Sequence, residues 1–291
     1  MRSFIDDPRW ANVDGDRADY LVGTMPGAGR GAAHTVALTI LGATGNDAAA
    51  NACTNLLRSY RSVRCLLMAG IAAGVPDPGR PARHVRLGDI VVARGIVEYD
   101  RVREHDDGPV SRRAFPPPSP LLERRARLLR AGEMVGDRPW EGLLAAQVRR
   151  FPGFGRPPES TDVVYCADGS DSQVPHPGMV LSGHRPGQPK VHSGLIASGD
   201  RSLRSASKRD EIAARYDVLA FEMEGKGTGN TGFSEGADWF TVRGISDYGD
   251  RHVTSTWRNY ASMAAAAYVR ALLAVTPPAE AGQARPRRDH G

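Results

Sequence analysis

Val63-Arg64-Cys65-Leu66-Leu67-Met68-Ala69-Gly70-Ile71-Ala72-Ala73-Gly74-Val75-Pro76 decides the fold class. Residues 63–69 are a nearly unbroken apolar run of strand length, the pattern of a strand buried on both faces. The glycine-rich 70–74 stretch then predicts a turn. Upstream, residues 35–41 read as a β-run and Gly42-Ala43-Thr44-Gly45 as a turn. A helix from Ala48 to about Tyr60 follows, with Asn46 or Asp47 as its cap. Downstream, Arg86-Leu87-Gly88 introduces a strand over 89–97. Strands over 192–197, 218–221 and 239–245 and helices over 205–216 and 257–275 continue the alternation. Strand and helix alternating along a chain predict an α/β fold with a mixed, largely parallel sheet.

Two stretches stand outside that rhythm. Residues 1–33 are polar and turn-rich, with one strand candidate at 20–24. Residues 101–190 are dense in proline and glycine, with helix candidates at 121–129 and 142–149 and a strand candidate at 162–166. Lacking an apolar core of its own, the second stretch reads as decoration of one domain over 1–275. Residues 276–291 read as a disordered tail.

The 291 residues, 41% hydrophobic and 24% charged, have ordinary globular composition. No apolar run approaches the length of a membrane span, and the start Met1-Arg2-Ser3-Phe4-Ile5-Asp6-Asp7-Pro8 carries no signal-peptide core. Cys53, Cys65 and Cys166 suit a reducing cytoplasm. The net charge of +5 rests on scattered arginines, helped by Arg285-Pro286-Arg287-Arg288. No zinc-finger or RNA-binding signature accompanies it. Neither a nucleic acid nor a membrane is an expected partner.

Residues 39–48 imitate a dinucleotide-binding turn, with glycines between strand and helix. The acidic residue required at the end of the next strand is replaced by Ala69-Gly70, and no Tyr has a Lys four residues later. A nicotinamide cofactor is therefore not expected. The histidines are scattered without the i, i+4 spacing of a metal site, so no metal is expected, and His192 reads as a packed strand residue.

Chemistry is concentrated in two acidic clusters at predicted strand ends, Phe221-Glu222-Met223-Glu224-Gly225 and Gly244-Ile245-Ser246-Asp247-Tyr248-Gly249-Asp250. Ligands of open α/β sheets bind beyond carboxyl ends of strands. If these strands lie near each other, Glu224 and Asp247 converge on one pocket; the simpler reading is that the acids cap the following helices. Together with 63–76, Val85-Arg86-Leu87-Gly88-Asp89-Ile90-Val91-Val92 and His192-Ser193-Gly194-Leu195-Ile196-Ala197-Ser198-Gly199-Asp200, these blocks resemble the nucleoside phosphorylase/nucleosidase superfamily, in its order, over about 34–275. The most similar subgroup is the methylthioadenosine/S-adenosylhomocysteine nucleosidase-like module of bacterial proteins.

The resemblance implies a three-layer α/β/α fold, a homo-oligomer, a purine nucleoside or nucleotide ligand and no cofactor, with inorganic phosphate as co-substrate if the chain is a phosphorylase. It implies cleavage of a purine N-glycosidic bond through an oxocarbenium-like sugar. Asp247 would serve the base nitrogen N7 as the catalytic acid, with its pKa raised by burial or a like charge. Glu224 would grip the ribose hydroxyls, with Glu222 beside it. Met223 would wall the sugar, Ser246 would orient Asp247, and Ser198 and Asp200 would shape the base loop.

Three departures bear on the activity. The family's first strand, with its water-activating acid, has no counterpart, since no glutamate precedes Glu98. Gly70-Ile71-Ala72 lacks the serine that many relatives direct at phosphate or water, although its amides can still face an anion; this favours hydrolysis over phosphorolysis. Arg201 stands where an aromatic residue usually stacks on the purine. The alternatives are a nucleoside- or nucleotide-sensing module, impaired or awaiting a partner, and an effector that depletes a purine nucleotide.

Overall fold

The computed structural model describes residues 1–103, 106, 110–111 and 115–279. Its strands are β1 (Asp6–Ala11), β2 (Tyr20–Pro26), β3 (Ala33–Leu38), β4 (Cys65–Gly74), β5 (Ile90–Glu98), β6 (Val102–Arg103), β7 (Val110–Ser111), β8 (Val164–Tyr165), β9 (Gln173–Val174), β10 (Val191–Ser198), β11 (Val218–Glu222) and β12 (Asp238–Asp247). Its helices are α1 (Asn46–Ser59), α2 (Pro120–Met134), α3 (Pro139–Arg150), α4 (Met179–Ser182), α5 (Ala206–Tyr216), α6 (Gly225–Ser234) and α7 (Arg258–Ala274).

The expected α/β architecture with a mixed central sheet is present. Five strands pair in the order β10-β11-β4-β12-β5, and β5 returns to β10, so the sheet closes. The β10–β11, β10–β5 and β12–β4 pairings are parallel, and β11–β4 and β12–β5 antiparallel. Closure was not evident in the sequence. It accompanies register shifts within β10 and at the end of β12, the irregularities that let a twisted sheet curl. Helices α6 and α7 both pack on β4 and β12, and α1 lies on α6.

The strands before β4 form a separate antiparallel sheet, β1-β2-β3. It is fastened to α7 by Arg270, which donates to Asp6 at 3.0 Å, and by His34 Nε2, within 3.1 Å of the Leu273 and Thr276 carbonyls. Strand β1 is almost wholly exposed, which explains why no apolar pattern announced it.

Several boundaries move. Helix α1 begins at Asn46, with Gly45 rather than an Asn or Asp side chain at its cap. Strand β4 runs through Gly74, so the residues expected to turn are strand. The 115–150 stretch supplies Leu122, Leu129, Trp140 and Leu144 to the main core, with Trp140 against Tyr268 at 5.4 Å between ring centroids. Thr276 is buried and bonded to Leu272 and Leu273, so packing continues past 275. Residues 280–291, and Arg112-Arg113, lie outside the described residues.

Helix α6 was anticipated only as an unbounded helix that the acids could cap. Gly225, Gly227, Gly229 and Gly232 each cost a helix up to about 1 kcal/mol against alanine. The compensation is tertiary: a Cβ on Gly227 would overlap the Asn46 carbonyl of α1. Only a glycine-rich helix lets α1 come that close.

Candidate active site

Strand β4 organises the site. Ala73 pairs with Phe221 of β11 on one side and with Asp247 of β12 on the other, so the two acidic clusters flank one residue. Gly70 pairs with Arg243, Ile71 with Gly244 and Ala72 with Ile245. The predicted strand ends therefore do lie near each other, with β4 between them.

The Glu222–Glu224 cluster divides its labour. Glu222 is buried, and its Oε2 accepts from the amides of Glu224 at 2.9 Å and Gly225 at 2.7 Å, which caps α6. The capping reading thus holds for Glu222. Glu224 points elsewhere: its Oε1 accepts from Gly45 N–H and its Oε2 from Arg243 Nη2, both at 3.2 Å. Arg243, itself buried, also donates to Glu222. One guanidinium thus serves two carboxylates. Its side chain lies against Gly70, where a Cβ would overlap Nη1. Glu222 Oε1 and Arg243 Nε are buried without a partner.

The turn that imitated a dinucleotide motif has another use. The Gly45 amide at the N-terminus of α1, where the helix favours negative charge, takes the Glu224 carboxylate. Next to it, buried Asn46 accepts from Ser198 Oγ at 3.1 Å and Gly227 N–H at 3.0 Å and donates to Asp200 at 2.8 Å. Lys226 Nζ donates to Asp200 at 2.8 Å, and this bond holds the Asp200 carboxyl below its usual range. Burial opposes the Lys226 charge, but Asp200 and the neighbouring acids outweigh it and raise the amine. Ser198 and Asp200 thus join the Glu224 side of the site.

On the other flank, Asp247 Oδ2 accepts from Ser246 Oγ at 2.8 Å and Oδ1 from Gly249 N–H at 2.9 Å. Ser246 Oγ also lies 3.4 Å from the Ala72 carbonyl. Both carboxylate oxygens of Asp247 are therefore oriented by their own turn.

With this arrangement in place, the comparisons agree on a family. The phosphorylase superfamily model matches residues 19–274. The chain belongs to the phosphorylase superfamily. A nucleotide-binding leucine-rich repeat (NLR)-like protein of Hyaloscypha variabilis is 30% identical over 277 residues, 90% of this chain; the chain spans only 26% of that relative's length. A 5'-methylthioadenosine/S-adenosylhomocysteine nucleosidase of Mycobacterium bovis is 25% identical over 76% of this chain and 74% of its own. Among solved structures, the nucleosidase of that name from Neisseria meningitidis, in complex with methylthio-immucillin-A, superposes with a TM-score of 0.61 at 19% identity, covering 94% of this chain and 92% of that one. The futalosine hydrolase of Helicobacter pylori gives 0.58 at 15% identity, covering 93% and 89%. At these identities the structural likeness speaks for the fold.

Sequence reasoning missed four participants in this phosphorylase-superfamily domain: Arg243, Asn46, Lys226 and Tyr99. An arginine inside the apolar run 239–245 was the available signal for Arg243. Asn46 read as a cap, and nothing local marked Lys226. Tyr99 follows β5, its ring against Gly199, its hydroxyl donating to the Arg201 carbonyl at 3.0 Å, and its ring edge-on to Phe221 at 5.7 Å. Burial pushes its phenol up to about 12. An aromatic side chain does reach the Ser198–Arg201 loop, from the bend after β5.

Proposed function

We propose that this domain cleaves the N-glycosidic bond of a purine nucleoside or nucleotide derivative, by hydrolysis in preference to phosphorolysis. The observation that carries the reading is the pair of acidic clusters on either side of Ala73, one charge-balanced by Arg243 and one held by its own turn.

In this reading Asp247 gives a proton to N7 of the leaving base, a role worth roughly 10²–10⁴ in rate for a positioned acid. Glu224 accepts from the ribose hydroxyls. A carboxylate has about four lone-pair sites, and Gly45 and Arg243 leave the others for the sugar. Arg243 bridges Glu222 and Glu224, and the Glu224 carboxylate faces the sugar as it becomes positive. The C1'–N9 bond breaks, the base leaves with the Asp247 proton on N7, and a water oxygen bonds to C1' while its released proton passes through solvent to the Asp247 carboxylate and restores the acid. Met223 walls the sugar, Ser246 orients Asp247, and Tyr99 offers the purine an aromatic surface at the Ser198–Asp200 loop. The β4 stretch Gly70-Ile71-Ala72 presents no hydroxyl for phosphate, which supports hydrolysis. This chemistry requires no cofactor.

The proposal extends to a homo-oligomer in a reducing cytoplasm, in keeping with the family resemblance and three free cysteines. Among the described residues no helix is long and apolar enough to cross a membrane. A sensing module is the second reading, favoured by the same apolar β4 stretch and by the share of the NLR-like relative that the chain spans. The test is release of adenine and hypoxanthine from purine nucleosides and nucleotides, with and without phosphate, beside Asp247→Asn. Release lost in the variant supports the enzyme; purine binding without release from the parent supports the sensor.

A further inference from the structure

Behind the Asp247 turn lies a second polar cluster that the proposed chemistry does not use. Asp89, at the entry to β5, is almost wholly buried. Its Oδ2 lies 2.8 Å from His184 Nε2 and 2.9 Å from His192 Nε2 and accepts from Arg86 N–H at 2.8 Å, and its Oδ1 accepts from Lys190 N–H at 3.0 Å. The three ligand-type atoms of Asp89, His184 and His192 lie within 4.8 Å of one another, and all three residues are buried. They come from different parts of the chain: His192 from β10, Asp89 from the turn before β5, and His184 from the proline- and glycine-rich connector after α4.

Among the described residues no lysine or arginine pairs with Asp89, whose ion partners are the two imidazoles. A buried carboxylate without a cation is costly. Ser182 adds an independent observation. Its single hydroxyl hydrogen faces the Gly178 carbonyl at 3.1 Å, the Met179 carbonyl at 3.3 Å and His184 Nδ1 at 2.9 Å. If Nδ1 carried no hydrogen, Ser182 would have to abandon the carbonyls to serve it. With hydrogen on Nδ1, the imidazole donates to Ser182 and its Nε2 lone pair turns toward Asp89.

We propose that Asp89, His184 and His192 form a structural site for a divalent transition metal, of which zinc best suits a two-imidazole, one-carboxylate set. Ligands about 2.0–2.1 Å from zinc stand roughly 3.3 Å apart in a tetrahedral arrangement. The two carboxylate–imidazole separations of 2.8 and 2.9 Å need a widening of a few tenths of an ångström, and the two imidazole nitrogens lie within 4.8 Å of each other. Metal binding requires each imidazole to carry its hydrogen on Nδ1 and offer its Nε2 lone pair, the arrangement that the Ser182 contact favours for His184. Ser182 then orients His184 from outside the ligand set, as such partners do. The metal would staple the connector, whose strands β8 and β9 are two residues each, onto the strands that carry the site.

The experiment is Co²⁺ and Zn²⁺ titration of the full chain after chelation, read by metal content, by the visible d–d bands of Co²⁺ and by melting temperature. The expected result is one ion per chain, a low-coordinate Co²⁺ spectrum and a higher melting temperature. Uptake should be lost in His184→Gln, weakened about tenfold in Ser182→Ala, and retained in His84→Gln, which lies outside the trio. Circular dichroism confirms that each variant is folded. If His184→Gln does not fold, the Co²⁺ spectrum of the parent and the Ser182→Ala affinity decide. No stoichiometric uptake by the parent, or uptake unchanged in both His184→Gln and Asp89→Asn, overturns the site and leaves the two imidazoles as hydrogen-bond partners of Asp89.

Discussion

Two buried polar clusters flank the end of β12, and they are built on opposite principles. Around Glu222, Glu224 and Arg243, bonds are left unmade: Glu222 Oε1 and Arg243 Nε have no partner. Around Asp89 and Asp162, every carboxylate oxygen is filled. Asp162 Oδ1 accepts from the Tyr248 hydroxyl at 2.6 Å and Oδ2 from Arg86 Nε at 2.8 Å, and both Asp89 oxygens accept from backbone amides, with two imidazoles beside Oδ2. Buried groups without partners cost free energy and are kept where a ligand completes them. Saturated groups rigidify. The first cluster has bonding capacity left for a substrate; the second holds Tyr248, and hence the Asp247 turn, in place, and the proposed ion would add to that rigidity.

The sharpest break between them is Asp247→Asn. Turnover should fall by roughly 10²–10⁴ while the melting temperature stays near that of the parent, as purine-release assays and thermal melts will show. Equal turnover would remove Asp247 from the chemistry.

Arg243→Ala should damage both properties, because it leaves two carboxylates facing each other in a buried site. Removing one partner of a buried pair costs about 3–5 kcal/mol, read by denaturant unfolding. A stable, active variant would show that Glu222 and Glu224 do not depend on that charge. Asp89→Asn should be the mirror image, with a loss of about 3 kcal/mol and a smaller effect on KM than on stability.

The saturated cluster also predicts an acid response. Burial, reinforced by His176, pushes His84 down to about 3 from an ordinary value of 6.5. The unfolded chain therefore binds this proton first as pH falls from 6.5 toward 3. Stability should drop across that window by up to about 1.4 kcal/mol per pH unit for such a group. His84→Gln should flatten the slope, measured by unfolding at pH 7, 6, 5 and 4. Burial works against the Asp89 charge, but the two imidazole bonds outweigh it and hold the acid well below its usual range. Its contribution to stability is lost only under more acidic conditions. The smallest expected effect is that of Tyr248→Phe, about 1 kcal/mol for one hydrogen bond, with a change in kcat if that bond positions Asp247.

Much of this was legible locally. The apolar runs that became β4, β5, β10, β11 and β12 are strands because continuous burial leaves a short apolar segment few alternatives. The acidic clusters were visible because carboxylates at strand ends are conspicuous. The bounds of helix α6 were illegible because its stability resides in contacts with α1 that glycine permits and no periodicity announces. Strand β1 was illegible because it is exposed.

The sequence by itself determined the apolar strands of the central sheet and the α/β fold class, and it pointed to Glu224 and Asp247 as candidate acids, since propensity and hydrophobic pattern act over a few residues. Tertiary structure alone decided that β4 stands between those acids and that the sheet closes. It also decided that Arg243 reaches Glu224, that Tyr99 meets the Ser198–Arg201 loop, and that His184 finds Asp89. Those meetings join residues as far apart in the chain as Ala73 and Asp247, and they are set by how the packed elements cross, which no local pattern encodes.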